Sequence, residues 1–280
     1  LGNETVIISD TSIDSSLLIN LDENTTEEID ASSLNTLNGN ASEIYSAFKS
    51  SGINGLGNET VIISDTSIDS SLLNNLDENN TGNIDASTLK RLTGDGVDAL
   101  KVFNSTGISE LIFDASNYLA SYKDLLDTYG SNIPAVKAHY FANGVSEGRN
   151  FDDFDELSYL ASHKDLLSAL GSNTSSALNH YINIGYKEGR SKDSFDENSY
   201  LASNLDLLEF FGKNTTSAIE HYINFGFTEG RITDSFNEFS YIASNSDLVS
   251  EFGVDDGAAA TAHYVEIGYS IGKAKDTFDE

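Results

Sequence analysis

The 280-residue chain contains no cysteine, no methionine, no tryptophan and a single proline, Pro134, and its 15 basic side chains stand against 45 acidic ones. Each shortage excludes something. Without cysteine there is no disulfide framework, no thiolate nucleophile and no cysteine-type zinc site. No run of about 18 apolar residues is present to insert into a membrane, and no basic, apolar signal segment opens the chain. A formal net charge of −30 has the wrong sign for nucleic acid or an anionic bilayer, which call for clustered Lys and Arg. Such a surface repels itself, and calcium or another cation relieves the repulsion. Apolar residues at 39% and aromatics at 10% still suffice for a folded core.

What the chain has in abundance is repetition, which decides the fold before any local reading does. Leu1–Asn24 and Leu56–Asn79 are the same sequence apart from Ile19 against Asn74, giving a period of 55. From about residue 111 the period becomes 41. FDASNYLAS starts at Phe113, FDELSYLAS at Phe154, FDENSYLAS at Phe195 and FNEFSYIAS at Phe236, and a truncated fifth start stands at Phe278. The last interval is 42, so the fourth copy carries one extra residue, placed within Asp255–Ala260. Each copy also holds a His-Tyr pair, at His139, His180, His221 and His263. A chain that begins and ends inside repeats reads as an excerpt of a longer array. The expected domains are two 55-residue copies over 1–110 and four 41-residue copies over 111–280, which either pack together or swing on a hinge near Gly107–Glu110.

In the 55-residue copy, Val61-Ile62-Ile63 is a β-branched run suited to a strand. Ile68–Leu76 places Ile68, Leu72, Leu73 and Leu76 on one helical face. A polar turn, Asp77–Asn83, leads to an extended stretch, Ile84–Leu89, and Asp98–Phe103 reads as a second helix ended by Gly107. The 41-residue copy has helical periodicity. Ser162 and Asp165 resemble a capping box, and Gly130, Gly171, Gly212 and Gly253 fall where a residue of positive φ ends a helix. Asn132, Asn173 and Asn214 cap the next helix, Pro134 sits harmlessly in its first turn, and Gly144, Gly185, Gly226 and Gly268 stop it. The expected fold class is an α+β repeat protein: a short N-terminal α/β solenoid of 55-residue units, then an α-helical hairpin repeat array of 41-residue units.

Asp77–Asp85 is the best candidate for chemistry. An EF-hand-type loop needs oxygen ligands at positions 1, 3, 5 and 9 and Gly at position 6. Asp77, Asn79, Thr81, Gly82 and Asp85 meet that pattern, and Asn83 offers its carbonyl at position 7. The bidentate Glu of position 12 is replaced by Thr88. In the first copy Asp22, Asn24, Thr26 and Asp30 survive, with Glu27 in place of the Gly. Two charged ligands imply calcium affinity no tighter than roughly 10⁻⁴–10⁻³ M. The alternative is an Asx-rich turn needing no metal. Thr93–Leu100 approaches a calcium-binding nonapeptide, although a single imperfect copy reads better as a turn before a helix. The four histidines, one per copy, do not supply the three or four ligands that zinc requires. They read as packing residues bonded to a backbone carbonyl or an Asp of the adjacent turn. Arg149, Arg190 and Arg231 are expected to pair with carboxylates of the next Phe-Asp-Glu segment.

The segment VIISDTSIDSSLLNNLDENNTGNIDASTLKRLTG resembles tandem units of very large exported surface proteins of marine picocyanobacteria. The FDxxxYLASxxDLL…HYxxxGxxEGR unit is similar to repeats of bacterial secreted proteins that often carry haemolysin-type (RTX) calcium-binding stretches. These resemblances imply an extracellular or cell-surface location and an association with calcium. The chain departs from the RTX pattern in lacking a nonapeptide array. The expectation is a non-enzymatic structural repeat protein, a segment of a surface layer, filament or adhesin, that associates with itself or with other surface proteins and glycans. The alternative is a calcium-responsive module that binds a glycan or protein partner.

Overall fold

The structure is a computed structural model that describes residues 5–253 and 256–277. Asp255, the first residue of the range in which the fourth copy's extra residue is placed, and the truncated start at Phe278 lie outside the described residues. The chain is of mixed α/β class with parallel sheets, and it packs as two compact bodies, Leu1–Phe154 and Asp155–Glu280. Gly107–Glu110 lies inside the first of these.

The N-terminal body begins with short strands alternating with helices. The strands are β1 (Val6–Ile7), β2 (Ser12–Asp14), β3 (Ile29–Asp30), β4 (Thr36–Gly39), β5 (Ile53–Asn54), β6 (Thr60–Ile63), β7 (Ser67–Asp69), β8 (Ile84–Asp85), β9 (Arg91–Thr93) and β10 (Ile108–Ser109). The helices are α1 (Ser15–Glu23), α2 (Ala41–Lys49), α3 (Ser70–Asn79) and α4 (Gly96–Asn104). All strand pairs are parallel, forming the columns β1-β3-β5, β2-β4-β6-β8-β10 and β7-β9. Helices α1 to α4 pack in series beside them.

Short polar side chains open each of these helices. Asp14, Asn40, Asp69 and Asp95 accept backbone N–H bonds from the first turns of α1, α2, α3 and α4. Inward residues of strand and helix, among them Leu18, Leu37, Ile44, Val61, Leu73 and Leu92, are fully buried between the layers. The helix expected from Ile68 starts at Ser70, because Asp69 caps it and leaves Ile68 to pair with Leu92 in the β7–β9 ladder. The stretch expected to extend to Leu89 pairs only through Asp85, where the Asp85 carboxylate turns the chain by accepting the Ser87 N–H.

The 41-residue copies are built from three short helices rather than a hairpin. In the N-terminal body these are α5 (Ala115–Ser121), α6 (Lys123–Tyr129) and α7 (Ile133–His139). In the C-terminal body the sets are Glu156–Ala161, Lys164–Leu170 and Thr174–His180, then Glu197–Ser203, Leu205–Phe211 and Thr215–His221, then Glu238–Ser244, Ser246–Phe252 and Gly257–His263. First and third helices of a copy pack together. Gly130, Gly171, Gly212 and Gly253 end the second helices with φ of 55–66°, as their spacing predicts. Asn132, Asn173 and Asn214 cap the third helices, and Pro134 lies in the first turn of α7.

Gly144, Gly185, Gly226 and Gly268 do not stop those helices. The chain continues through a π turn over Tyr140–Gly144, Tyr181–Gly185, Tyr222–Gly226 and Tyr264–Gly268. It stops at Gly148, Gly189, Gly230 and Gly272, whose φ values are 66–72°. The Ser162–Asp165 capping box is also absent. His163 precedes the helix without a side-chain cap, and the Ser162 hydroxyl instead accepts the N–H groups of Ser194 and Phe195.

Candidate functional site

The Asp77–Asp85 segment is distributed over a helix end, a turn and a strand. Asp77 and Asn79 lie in the last turn of α3. Asp77 Oδ2 accepts from Ser105 Oγ at 2.6 Å, and that hydroxyl in turn accepts the Gly107 N–H at 3.0 Å. Asn79 Oδ1 accepts from Lys49 Nζ at 2.7 Å. The Thr81 hydroxyl donates to the Gly57 carbonyl, Asn83 Nδ2 donates to Ser109 Oγ, and Asp85 Oδ1 accepts from the Ser87 backbone. In the first copy Asp22 Oδ2 accepts from Ser50 Oγ at 2.6 Å, and that hydroxyl accepts the Gly52 N–H. Asn24 Nδ2 donates to Asn20, Asp30 Oδ1 accepts the Ser32 N–H, and Thr26 is exposed. The two Asp–Ser–Gly ties are the same device twice: a carboxylate at a helix end anchoring the entry to the following strand. A side chain at Gly52 or Gly107 would collide with that carboxylate.

Asp77 and Glu78 also line an open concavity of about 550 Å³ between α3 and α4, with Asn74, Val97, Leu100 and Lys101. Asp95, within the nonapeptide-like stretch, caps α4 by accepting the Val97 N–H at 2.7 Å. Among the described residues no group of three or more His, Asp and Glu is gathered as a metal cluster.

The four histidines belong to a recurrent constellation. The hydroxyls of Tyr118, Tyr159, Tyr200 and Tyr241 meet Nδ1 of His139, His180, His221 and His263 at 3.1, 2.9, 2.9 and 2.8 Å. The partner is thus a tyrosine of the first helix, not a carbonyl or an Asp. Burial pushes the Tyr159, Tyr200 and Tyr241 hydroxyls up to about 12, and Tyr118 further. They therefore remain protonated at neutral pH and suit donation to an unprotonated Nδ1. Desolvation, with Arg190 nearby, holds His180 below its ordinary value. Gly144, Gly185, Gly226 and Gly268 lie under these hydroxyls, and a Cβ at any of them would strike the tyrosine oxygen. The sequence carried a signal for the pair, since one Tyr and one His recur in every copy 21 or 22 residues apart.

The arginines also pair differently from expectation. Arg149, Arg190 and Arg231 reach back to Asp124, Asp165 and Asp206 of their own copy at 2.7–2.8 Å, and to Glu147, Glu188 and Glu229 at 2.6–2.9 Å. The left-handed Gly between Glu and Arg lets the guanidinium reach the second helix of its own copy. Lys273 takes the same place toward Asp247. Comparison of the chain with family profiles, curated proteins and solved structures returned no match.

Proposed function

We propose that this chain is a non-enzymatic structural segment of an extracellular or cell-surface repeat protein, such as a surface layer, filament or adhesin. In this reading an α/β solenoid of 55-residue units is followed by an array of 41-residue helical units. The observation that carries it is the fate of the recurring polar groups. The Tyr–His bond appears once in each of four copies and the Asp–Ser–Gly tie once in each of two, each spent on holding its own copy together. Devices of that kind make a stackable unit.

The charge of −30 favours cation-dependent association, and calcium is the cation proposed, with the Asp77 and Asp22 segments as the candidate ligands. A thermal melt in excess calcium, in chelator and in magnesium, with light scattering recorded alongside, tests this. A calcium-specific rise in Tm with growth of large particles is expected, since a ligand of the folded state stabilises it. Identical melts and constant scattering in all three conditions overturn the calcium-dependent assembly. A second reading, a calcium-responsive module for a glycan or protein partner, draws on the exposed rings of Phe210, Phe225 and Phe239 in the C-terminal body. Retention of the monomer on immobilised polysaccharide favours that reading.

A further inference from the structure

Near-identical sequences occupy two environments in the N-terminal body, and the difference between them defines an interaction surface. Residues 60–79 of the second copy lie against the first. Strand β6 pairs in parallel with β4, Thr36 to Gly39 against Thr60 to Ile63, and α3 packs on α2. The N–H groups of Thr60 and Ser64 donate to the carbonyls of Asn35 and Gly39 at 2.8 and 2.9 Å. The Asp65 carboxylate accepts the Ala41 N–H at 2.7 Å, and Asn79 accepts from Lys49.

The residues 55 positions earlier are the same: Thr5, Val6, Ile7, Ile8, Ser9, Asp10, Leu17 and Asn24. On its far side β1 pairs with β3 as β6 pairs with β8. On its near side nothing stands among the described residues, and exposure records the loss. Ile7 is 69% exposed against 38% for Ile62, and Leu17 is 63% exposed where Leu72 is half-buried. Val6, Ile13 and Leu21 are half-buried where Val61, Ile68 and Leu76 are buried. Asp10 and Asn24 are exposed where Asp65 and Asn79 are half-covered.

The opposite end of these coils is closed. Helix α4 packs on the π turn Tyr140–Gly144, Phe103 inserts among Phe113, Tyr140, Phe141 and Phe151, and the Phe151 N–H donates to the Lys90 carbonyl.

We propose that the face formed by β1, the Ser9–Asp10 segment and the outer side of α1 is a docking surface for one further 55-residue α/β unit, whose C-terminal coil seats on it as residues 35–49 seat on residues 60–79. The inference rests on the structural-repeat reading above and gives it a direction. The occupant offers four parallel strand residues and an amphipathic helix in the manner of Thr36–Gly39 and Ala41–Lys49. A second intact chain does not offer that coil, because its own helical copy covers it. Addition of 55-residue units therefore runs from the β1 side.

The test is the full chain carrying one extra copy of residues 1–55 fused ahead of Leu1, compared with the unextended chain by hydrogen exchange. In the extended chain the backbone amides equivalent to Thr5 and Ser9 are expected to gain at least tenfold protection, approaching Thr60 and Ser64, while amides of the C-terminal body stay unchanged. A companion variant, Asp10→Ala at the new junction, is expected to reduce that gain without altering protection of Thr60. Unchanged exchange at Thr5 and Ser9 overturns the proposal. So does protection that the unextended chain acquires on concentration alone, which would signify symmetric pairing of two β1 faces. These amides report the docking face by itself, whereas particle growth in calcium reports the surface-assembly reading, so either fails without the other.

Discussion

At the scale of single residues, the Tyr–His bond and the glycine beneath it form one device. In a helix, replacing Gly by Ala ordinarily gains up to about 1 kcal/mol. Gly226 should reverse that sign, because its Cβ would strike the Tyr200 hydroxyl. Gly226→Ala is expected to destabilise the chain by more than about 1 kcal/mol, and Tyr200→Phe by about 1 kcal/mol through loss of one hydrogen bond. The double variant should cost less than the sum, since removing the hydroxyl makes room for the methyl group. Urea unfolding of the three variants measures this coupling. The imidazole adds a pH dependence. His180 is held below its ordinary 6.5, so as the solution is acidified the unfolded chain takes up that proton first. Its contribution to stability is present at neutral pH and falls away below about pH 6.5. Arg190 holds Asp165 below its ordinary 3.8, and the stability that pair adds is lost only in more acidic solution. His180→Gln should flatten the slope of Tm against pH near 6 and leave the more acidic limb intact.

At the scale of elements, what joins one helical copy to the next is backbone caught by a serine. Ser203 Oγ accepts the N–H groups of Ser235 and Phe236 at 2.7 and 3.2 Å, as Ser162 Oγ accepts those of Ser194 and Phe195. Helix Glu197–Ser203 also packs against the third helix of the following copy, Gly257–His263. Ser203→Ala leaves two donors without that acceptor, at an expected cost of about 1–2 kcal/mol. Ser203→Thr keeps the hydroxyl and should recover most of the loss in a thermal melt. The spacing of Ser121, Ser162, Ser203 and Ser244 was plain in the sequence. Its meaning was not, because a serine three residues before an Asp satisfies a capping pattern equally well, and only the neighbouring chain decides which N–H groups it meets.

At the scale of the whole molecule, the aromatic cluster around Phe103 joins the strand–helix coils to the first helical copy within the N-terminal body. Phe103→Ala is expected to cost about 2 kcal/mol, below the loss for a fully buried ring, and to lower the urea midpoint of that body. Phe210→Ala, at an 81% exposed ring, should change stability by less than about 0.5 kcal/mol.

The sequence by itself determined the two periods, the positive φ of Gly130, Gly171, Gly212 and Gly253, the caps at Asn132, Asn173 and Asn214 and the composition that excludes cysteine chemistry, because each follows from local chain geometry or a count. The column a strand joins was decided only by the tertiary structure. Paired residues in the parallel ladders stand 23 or 24 apart. Two such coils take up about 48 of the 55 residues, and the remaining 7 match the step from Val6 to Ile13. Strand β6 therefore repeats the sequence of β1 yet continues the column of β2 and β4. A sequence period records which residues recur, while a hydrogen-bonded register records which residues lie side by side, and the two coincide only when the coil divides the repeat evenly. Here it does not, so identical residues meet different neighbours.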